Sequence, residues 1–245
     1  MVELRVLGAV EVVAGGTRLD VGHARQRDVL AVLLLDVGRA VPADRIVDRV
    51  WGERPPRQPR NSLYAYVSRL RALLGALDGV TIERERDGYV LVADPLLVDV
   101  HRFEHLVRLA KTTTDDQAAL ALYDEALSLW RGTPLSELDS PWVDEVRREL
   151  ERRHDTAVLD RDDLRLRTGA HAAVLARPAP DGAGGERAAA QRIEALFLDG
   201  RPADALREYE AVRSRLADEL GADPGPRLRG LHERILAGSG PEPRQ

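Results

Sequence analysis

The hydrophobic period changes twice within the first 93 residues, and that double switch limits the possible folds more than any other feature. Short apolar runs at Leu4, Val6, Leu7 and at Val10, Val12, Val13 come first. With residues 17–21 after Gly15-Gly16, they predict three short antiparallel strands. From Ala24 the spacing turns helical: Leu30, Leu33, Leu34 and Val37 recur at i, i+3, i+4 and i+7, and Gly38 stops the run. A second helix is predicted over 43–51, with Ile46, Val47, Val50 and Trp51 on one face and Pro42 tolerated at its start. Three prolines exclude helix from 53–59. A third helix follows over 60–74 with Leu63, Val67, Leu70 and Leu74 as its buried stripe. Period two then returns, 80–86 and 89–93 flanking Asp87-Gly88, a hairpin signal. Strands, three short helices and a closing hairpin describe a winged helix-turn-helix over residues 1–94.

Such a module presents its third helix to the major groove and its hairpin to the neighbouring backbone or minor groove. At about 100° per residue, the face opposite the leucine stripe carries Asn61, Ala65, Ser68 and Ala72, with Tyr64, Arg69 and Arg71 on the flanks. Small residues in the middle of that face allow close approach to base edges. Arg84 and Arg86 on the hairpin are placed to clamp a phosphate or enter a minor groove. Periodicity alone leaves other readings open: a small helical domain with ordinary surface arginines, or a helical adaptor whose winged part binds protein.

Charge is unevenly spread over the 245 residues. The chain sums to −5, but residues 1–93 hold 14 arginines against 12 acids and residues 94–245 hold 22 basic residues against 29 acids. Between Arg54 and Leu77 there are five arginines and no acid. A basic segment in an acidic chain can meet phosphate while the remainder keeps the molecule soluble.

Several runs together resemble a known family. They are Arg25-Gln26-Arg27 ahead of residues 29–35, Asp44-Arg45-Ile46 with Val50-Trp51-Gly52, Asn61-Ser62-Leu63, residues 66–71 and Gly88-Tyr89. Residues 99–104, 126–132 and 219–226 add matches in the second half. The chain is similar over about residues 3–237 to the Streptomyces antibiotic regulatory proteins, which join an OmpR-type winged helix to a bacterial transcriptional activation domain. The fold this implies is mainly α with a small β component. A winged domain (1–94) is followed by a linker (95–99), an all-helical tetratricopeptide-like domain (100–237) and a disordered tail (238–245).

The resemblance also implies roles. Arg69 is the expected base reader and Arg71 a phosphate contact, with Arg60, Asn61, Ser62, Tyr64 and Ser68 on the groove side. Arg25, Arg84 and Arg86 would anchor the backbone. The Pro-rich loop, with Glu53, Arg54, Arg57 and Gln58, stands where OmpR-type activators touch RNA polymerase and its sigma factor. Double-stranded DNA bearing direct repeats near promoters of antibiotic biosynthesis genes, bound by a head-to-tail pair of protomers, is the implied target. A repressor would make the same DNA contacts with the opposite output.

The second half reads as helices at about 101–111, 115–130, 141–168, 186–199, 202–220 and 226–237. Ala119, Tyr123, Ala126 and Ala205, Tyr209, Val212 share a 4-then-3 spacing, as in the second helix of a tetratricopeptide-like hairpin, and Gly200 supplies a turn. Residues 177–185 hold two prolines and three glycines, which forbid helix where the family's pattern carries a long one.

No catalytic constellation is expected. Cysteine is absent, and no phosphate loop or Gly-x-Ser-x-Gly context occurs. His101 and His105 lie i, i+4 without an evident third ligand, so packing beside Phe103 is the reading and neither metal nor cofactor is expected. No receiver domain fits before residue 24, and neither a leader nor a run of 18 apolar residues is present; a cytoplasmic protein without membrane contact is expected.

Overall fold

The computed structural model describes residues 2–177 and 185–238. It is mainly helical, and its backbone contacts divide it into two compact units. The first comprises residues 1–112 and 121–155, the second 113–120 and 156–245.

In the first unit β1 (Val2–Arg5), β2 (Glu11–Ala14) and β3 (Thr17–Leu19) form an antiparallel meander in which Leu4 faces Val12 and Val12 faces Leu19. Gly15 and Gly16 make its two-residue turn with φ of 57° and 82°, a conformation that glycine reaches without a Cβ clash. α1 (Ala24–Leu35) departs from the predicted single stripe: every residue from Val29 to Leu34 is buried. The reason is its central position, with α2, α3 and β6 packed around it.

α2 (Ala43–Trp51) ends at Gly52, and α3 (Pro59–Leu74) begins one residue earlier than predicted. Pro59 is therefore inside the helix, in the first turn, where a missing N–H costs nothing. The wing is the hairpin β5 (Thr81–Glu85) and β6 (Gly88–Val92), with β4 (Val41–Pro42) completing a sheet of order β4-β6-β5.

The wing turn differs from the sequence reading by one residue. Glu85 pairs with Gly88, so Arg86 and Asp87 form the turn and Arg86 takes a φ of 48°. Gly88 is required for another reason. A Cβ there would stand 2.1 Å from the Val41 carbonyl oxygen, so only glycine lets β4 lie this close.

A 3-10 turn, Pro95–Leu97, is capped by the Asp94 carboxylate accepting the Leu96 N–H at 2.9 Å. α4 (Asp99–Thr112) starts at a buried carboxylate. Asp99 accepts the backbone N–H groups of Val6 and Leu7 at 2.9–3.0 Å and a guanidinium N–H of Arg131 at 2.6 Å. Burial pushes its carboxyl above the ordinary value, more than those donors lower it. Segment 131–136 continues the tie, with Arg131 and Leu135 donating backbone N–H groups to Leu7 and Val6. α5 (Asp116–Ser128) and α6 (Pro141–Arg167) follow, and Ser140 caps α6 through the Val143 N–H at 3.2 Å.

In the second unit the helix predicted over 141–168 ends at Arg167, and a short α7 (His171–Leu175) that the sequence reading did not separate comes after Gly169, whose φ is 80°. Most of the Pro/Gly run 177–185, and the tail beyond 238, lie outside the described residues. α8 (Gly185–Leu198) and α9 (Pro202–Leu220) form a hairpin around Gly200, and α10 (Pro226–Leu236) packs on both. Ala205, Tyr209 and Val212 are buried with Ile193, Leu196 and Leu228, and the Tyr209 ring stacks on His232 at 4.2 Å. The small–aromatic–small spacing thus falls on core positions. Ala119, Tyr123 and Ala126 are buried likewise.

Candidate nucleic-acid interface

The geometry of the site begins with the buried stripe of α3. Leu63, Val67, Leu70 and Leu74 are at most 1% exposed, which turns Asn61, Tyr64, Ala65, Ser68, Arg69 and Ala72 to solvent. Tyr64 is 60% exposed, an unusual state for a tyrosine on a packed helix. Ala65, Ser68 and Ala72 run down the centre, so nothing bulky stands between this face and an approaching surface. The sequence reading put Asn61, Ala65, Ser68 and Ala72 on this face and Tyr64, Arg69 and Arg71 on its flanks; of the three, Tyr64 and Arg69 are exposed and Arg71 is half-buried.

Around that face the basic residues divide into held and free. Arg69, Arg84 and Arg86 are exposed and make no hydrogen bond or ion pair among the described residues. Arg60 is exposed too, but forks onto the Asp44 carboxylate at 2.8 Å. That pair is open to solvent on both sides, worth about 1 kcal/mol or less, so a phosphate can displace it. Asn61 donates its amide N–H to the Gln58 side-chain oxygen at 2.5 Å, and Ser62 is half-buried.

Two arginines have structural tasks that the sequence reading missed. Arg71 donates its Nε–H to the carbonyl of Ile82 at 2.7 Å and lies 5.7 Å from the centre of the Tyr89 ring. It pins α3 to the wing, which leaves only its outer N–H groups for a phosphate. Arg25 donates to the Val50 carbonyl at 2.7 Å and to Asp28 at 3.0 Å, tying α1 to the end of α2. Asp28 is buried, and burial raises its carboxyl despite the Arg25 hydrogen bond.

The loop after α2 exposes Glu53, Arg54, Arg57 and Gln58. Its base is fixed by an aromatic cluster: Trp51 stacks on Tyr66 at 6.1 Å, and His23 meets the edge of the same ring at 5.0 Å. Sequence reading found Trp51 on the buried face of α2 but not its partner. The signal was available, since Tyr66 sits at i+3 from Leu63, on the border of the stripe. His101 is engaged elsewhere, its Nε2 lying 3.0 Å from the Leu34 carbonyl. Among the described residues no three candidate ligands gather around a metal-sized space.

Residues 21–91, from the approach to α1 through β6, match the family described as transcriptional regulatory protein, C terminal. Residues 98–236, from α4 through α10, match the bacterial transcriptional activator domain. The regulatory protein DnrI of Streptomyces peucetius is 30% identical, over 96% of this chain and 92% of its own length. The chain belongs to the Streptomyces antibiotic regulatory protein family. The transcriptional regulator RedD of Streptomyces coelicolor is 33% identical to this family member, over 96% of the chain and 71% of RedD. The regulatory protein AfsR of Streptomyces griseus is 35% identical over 94% of the chain, which spans only 24% of AfsR. A solved structure, Mycobacterium tuberculosis EmbR in complex with a low-affinity phosphopeptide, superposes with a TM-score of 0.89 at 31% identity, covering 98% of this chain and 66% of EmbR. Both matched families are described as transcriptional regulators, and RedD is named as one as well. Among the described residues of this family member, no helix is long and apolar enough to cross a membrane.

Proposed function

We propose that this chain is a sequence-specific, DNA-binding transcriptional activator acting in the cytoplasm on antibiotic or other secondary-metabolite genes. The observation that carries the reading is the outward face of α3, small along its centre and flanked by the unpartnered guanidinium of Arg69, with Arg84 and Arg86 unpartnered on the wing. In this reading residues 1–94 hold the DNA. Arg69 reads a base edge, Asn61, Tyr64 and Ser68 line the groove, and Arg60, Arg84, Arg86 and the outer N–H groups of Arg71 meet phosphates. Arg25 acts indirectly, by setting the angle between α1 and α2.

The loop bearing Glu53, Arg54, Arg57 and Gln58 is exposed on a rigid aromatic base, which supports its use as a contact for RNA polymerase and its sigma factor. Residues 100–237 contribute further contacts to that machinery. Tandem repeats about one helical turn apart would be filled by two protomers head to tail. Footprinting of promoters adjacent to the gene, with and without RNA polymerase, tests the whole reading. Protected direct repeats and polymerase recruitment support it, and a chain that protects no promoter overturns it.

A further inference from the structure

Residues 94–245 hold 22 basic residues against 29 acids, yet the groove between α8 and α9 has the opposite bias. It has a volume of about 460 Å³, and Arg192, Arg201, Arg207 and Arg215 stand along it. Two carboxylates share the lining. Asp204 accepts from Arg201 at 2.7 Å and also from Arg207, and Glu208 pairs with Arg192 at 3.0 Å. Arg215 has no hydrogen bond or ion pair among the described residues. Arg192 also donates to the Arg177 carbonyl at 3.4 Å and is mostly buried, and Arg201 lies 3.9 Å from Asp199. The surplus therefore rests with Arg215 and with Arg207, whose side chain is 75% exposed and meets one carboxylate. A guanidinium carries five N–H donors, and most of theirs are unused. Beneath them Leu196 and Val212 give the groove an apolar floor.

Three properties choose the occupant. Surplus guanidinium favours an anion, and its planar fork matches a carboxylate two bonds at a time. Asp204 and Glu208, set among the arginines, repel a continuous phosphate backbone but tolerate acidic groups spaced by neutral ones. The volume and the apolar floor suit a few side chains of a peptide rather than a folded domain. We propose that this groove docks a short acidic segment of a partner protein, one apolar side chain resting on Leu196 and Val212 with carboxylates on either side meeting Arg207 and Arg215. The proposal stands apart from what α3 binds.

The test is fluorescence anisotropy of the full chain with a fluorescein-labelled heptapeptide, a central leucine flanked on each side by two glutamates and a terminal glycine. Saturable binding is expected, weakened about tenfold or more, roughly 1.4 kcal/mol, by the double variant Arg207→Glu, Arg215→Glu. Replacing the glutamates by glutamines, or the leucine by serine, should weaken it comparably. The double variant Arg207→Lys, Arg215→Lys keeps the charge but loses the planar fork, so its affinity should fall between those of the unaltered chain and the glutamate variant. Unchanged circular dichroism of both variants separates lost contacts from lost folding. Arg69→Ala should leave peptide binding unchanged, so failure of the DNA reading and failure of this one are told apart. No saturable binding up to about 1 mM overturns the proposal, as does equal binding of the glutamine peptide. Displacement of the peptide by random-sequence duplex DNA, through the same two arginines, would also overturn it and make the groove a phosphate site.

Discussion

Arg71 donates its Nε–H to the backbone carbonyl of Ile82 at 2.7 Å, which makes the third helix and the wing one mechanical piece. Arg71→Ala should lower stability by about 1–2 kcal/mol, since a charged hydrogen bond and the contact with the Tyr89 ring are both lost. Amide exchange in β5 should quicken selectively. DNA affinity should fall for all sequences alike, because the wing then searches rather than rests in place. Unchanged exchange in β5, measured by mass spectrometry, would contradict the pinning role.

Arg69 is the opposite case, an exposed side chain with no protein partner among the described residues. Arg69→Ala should leave the melting temperature unaltered yet cost about 1–3 kcal/mol of specific binding and relax preference at one base pair. Arg84→Ala should weaken every sequence equally and reduce the slope of log affinity against log salt by about one. Competition gel shifts at several salt concentrations distinguish the two patterns, and an identical pattern for both variants would refute the division of labour.

Gly88 is predicted to be intolerant. An alanine Cβ would stand 2.1 Å from the Val41 carbonyl oxygen and 2.7 Å from its carbon, so backbone must move. We expect Gly88→Ala to destabilise by about 1–3 kcal/mol or more in chemical denaturation, with β4 detached from the wing sheet. Gly15→Asn is the control, since its φ of 57° suits asparagine and an added Cβ meets nothing within 4 Å.

Asp163 sets an acid limit on the second unit. Burial works to raise its carboxyl, but hydrogen bonds from Arg227, Gln191 and Arg187 outweigh that and hold it below the ordinary value of about 3.9. A carboxyl lowered on folding contributes stability that is full above the unfolded value and lost as pH falls through the folded one. Asp163→Asn should therefore lose most stability at neutral pH and progressively less as pH falls below the ordinary carboxylate value, with a flatter acid limb. Thermal melts of both proteins from neutral pH into the acid range give the answer; parallel curves would exclude Asp163 as the cause.

Much of this was legible in the pattern of apolar residues. The α3 stripe, the outward position of Asn61, Ala65, Ser68 and Ala72, and the buried Ala205, Tyr209 and Val212 all follow from one rule of periodicity. What escaped were contacts between residues distant in sequence. No local signal tells that Arg71 will find Ile82, that Tyr66 will receive both Trp51 and His23, or that Gly88 is glycine for the sake of Val41. The wing turn slipped by one residue because Asp-Gly pairs so often occupy the turn itself; here the strand beside it claimed the glycine. The Pro59 boundary was missed because proline reads as a stop, yet is equally at home in a first turn.

The carboxylate of Asp99 has a consequence for how regulators of this kind can be taken apart. Val6 and Leu7 belong to the winged part, Asp99 and Arg131 lie downstream of it, and the buried Asp99 carboxylate joins the other three. A winged part severed at residue 94 would carry two amides with nothing to accept them, and grafting it onto another relative would succeed only if that relative supplied an equivalent acid and arginine. Recombination between family members is thus expected to keep residues 1–94 together with Asp99 and Arg131 rather than to cut at the boundary between the winged part and the helices.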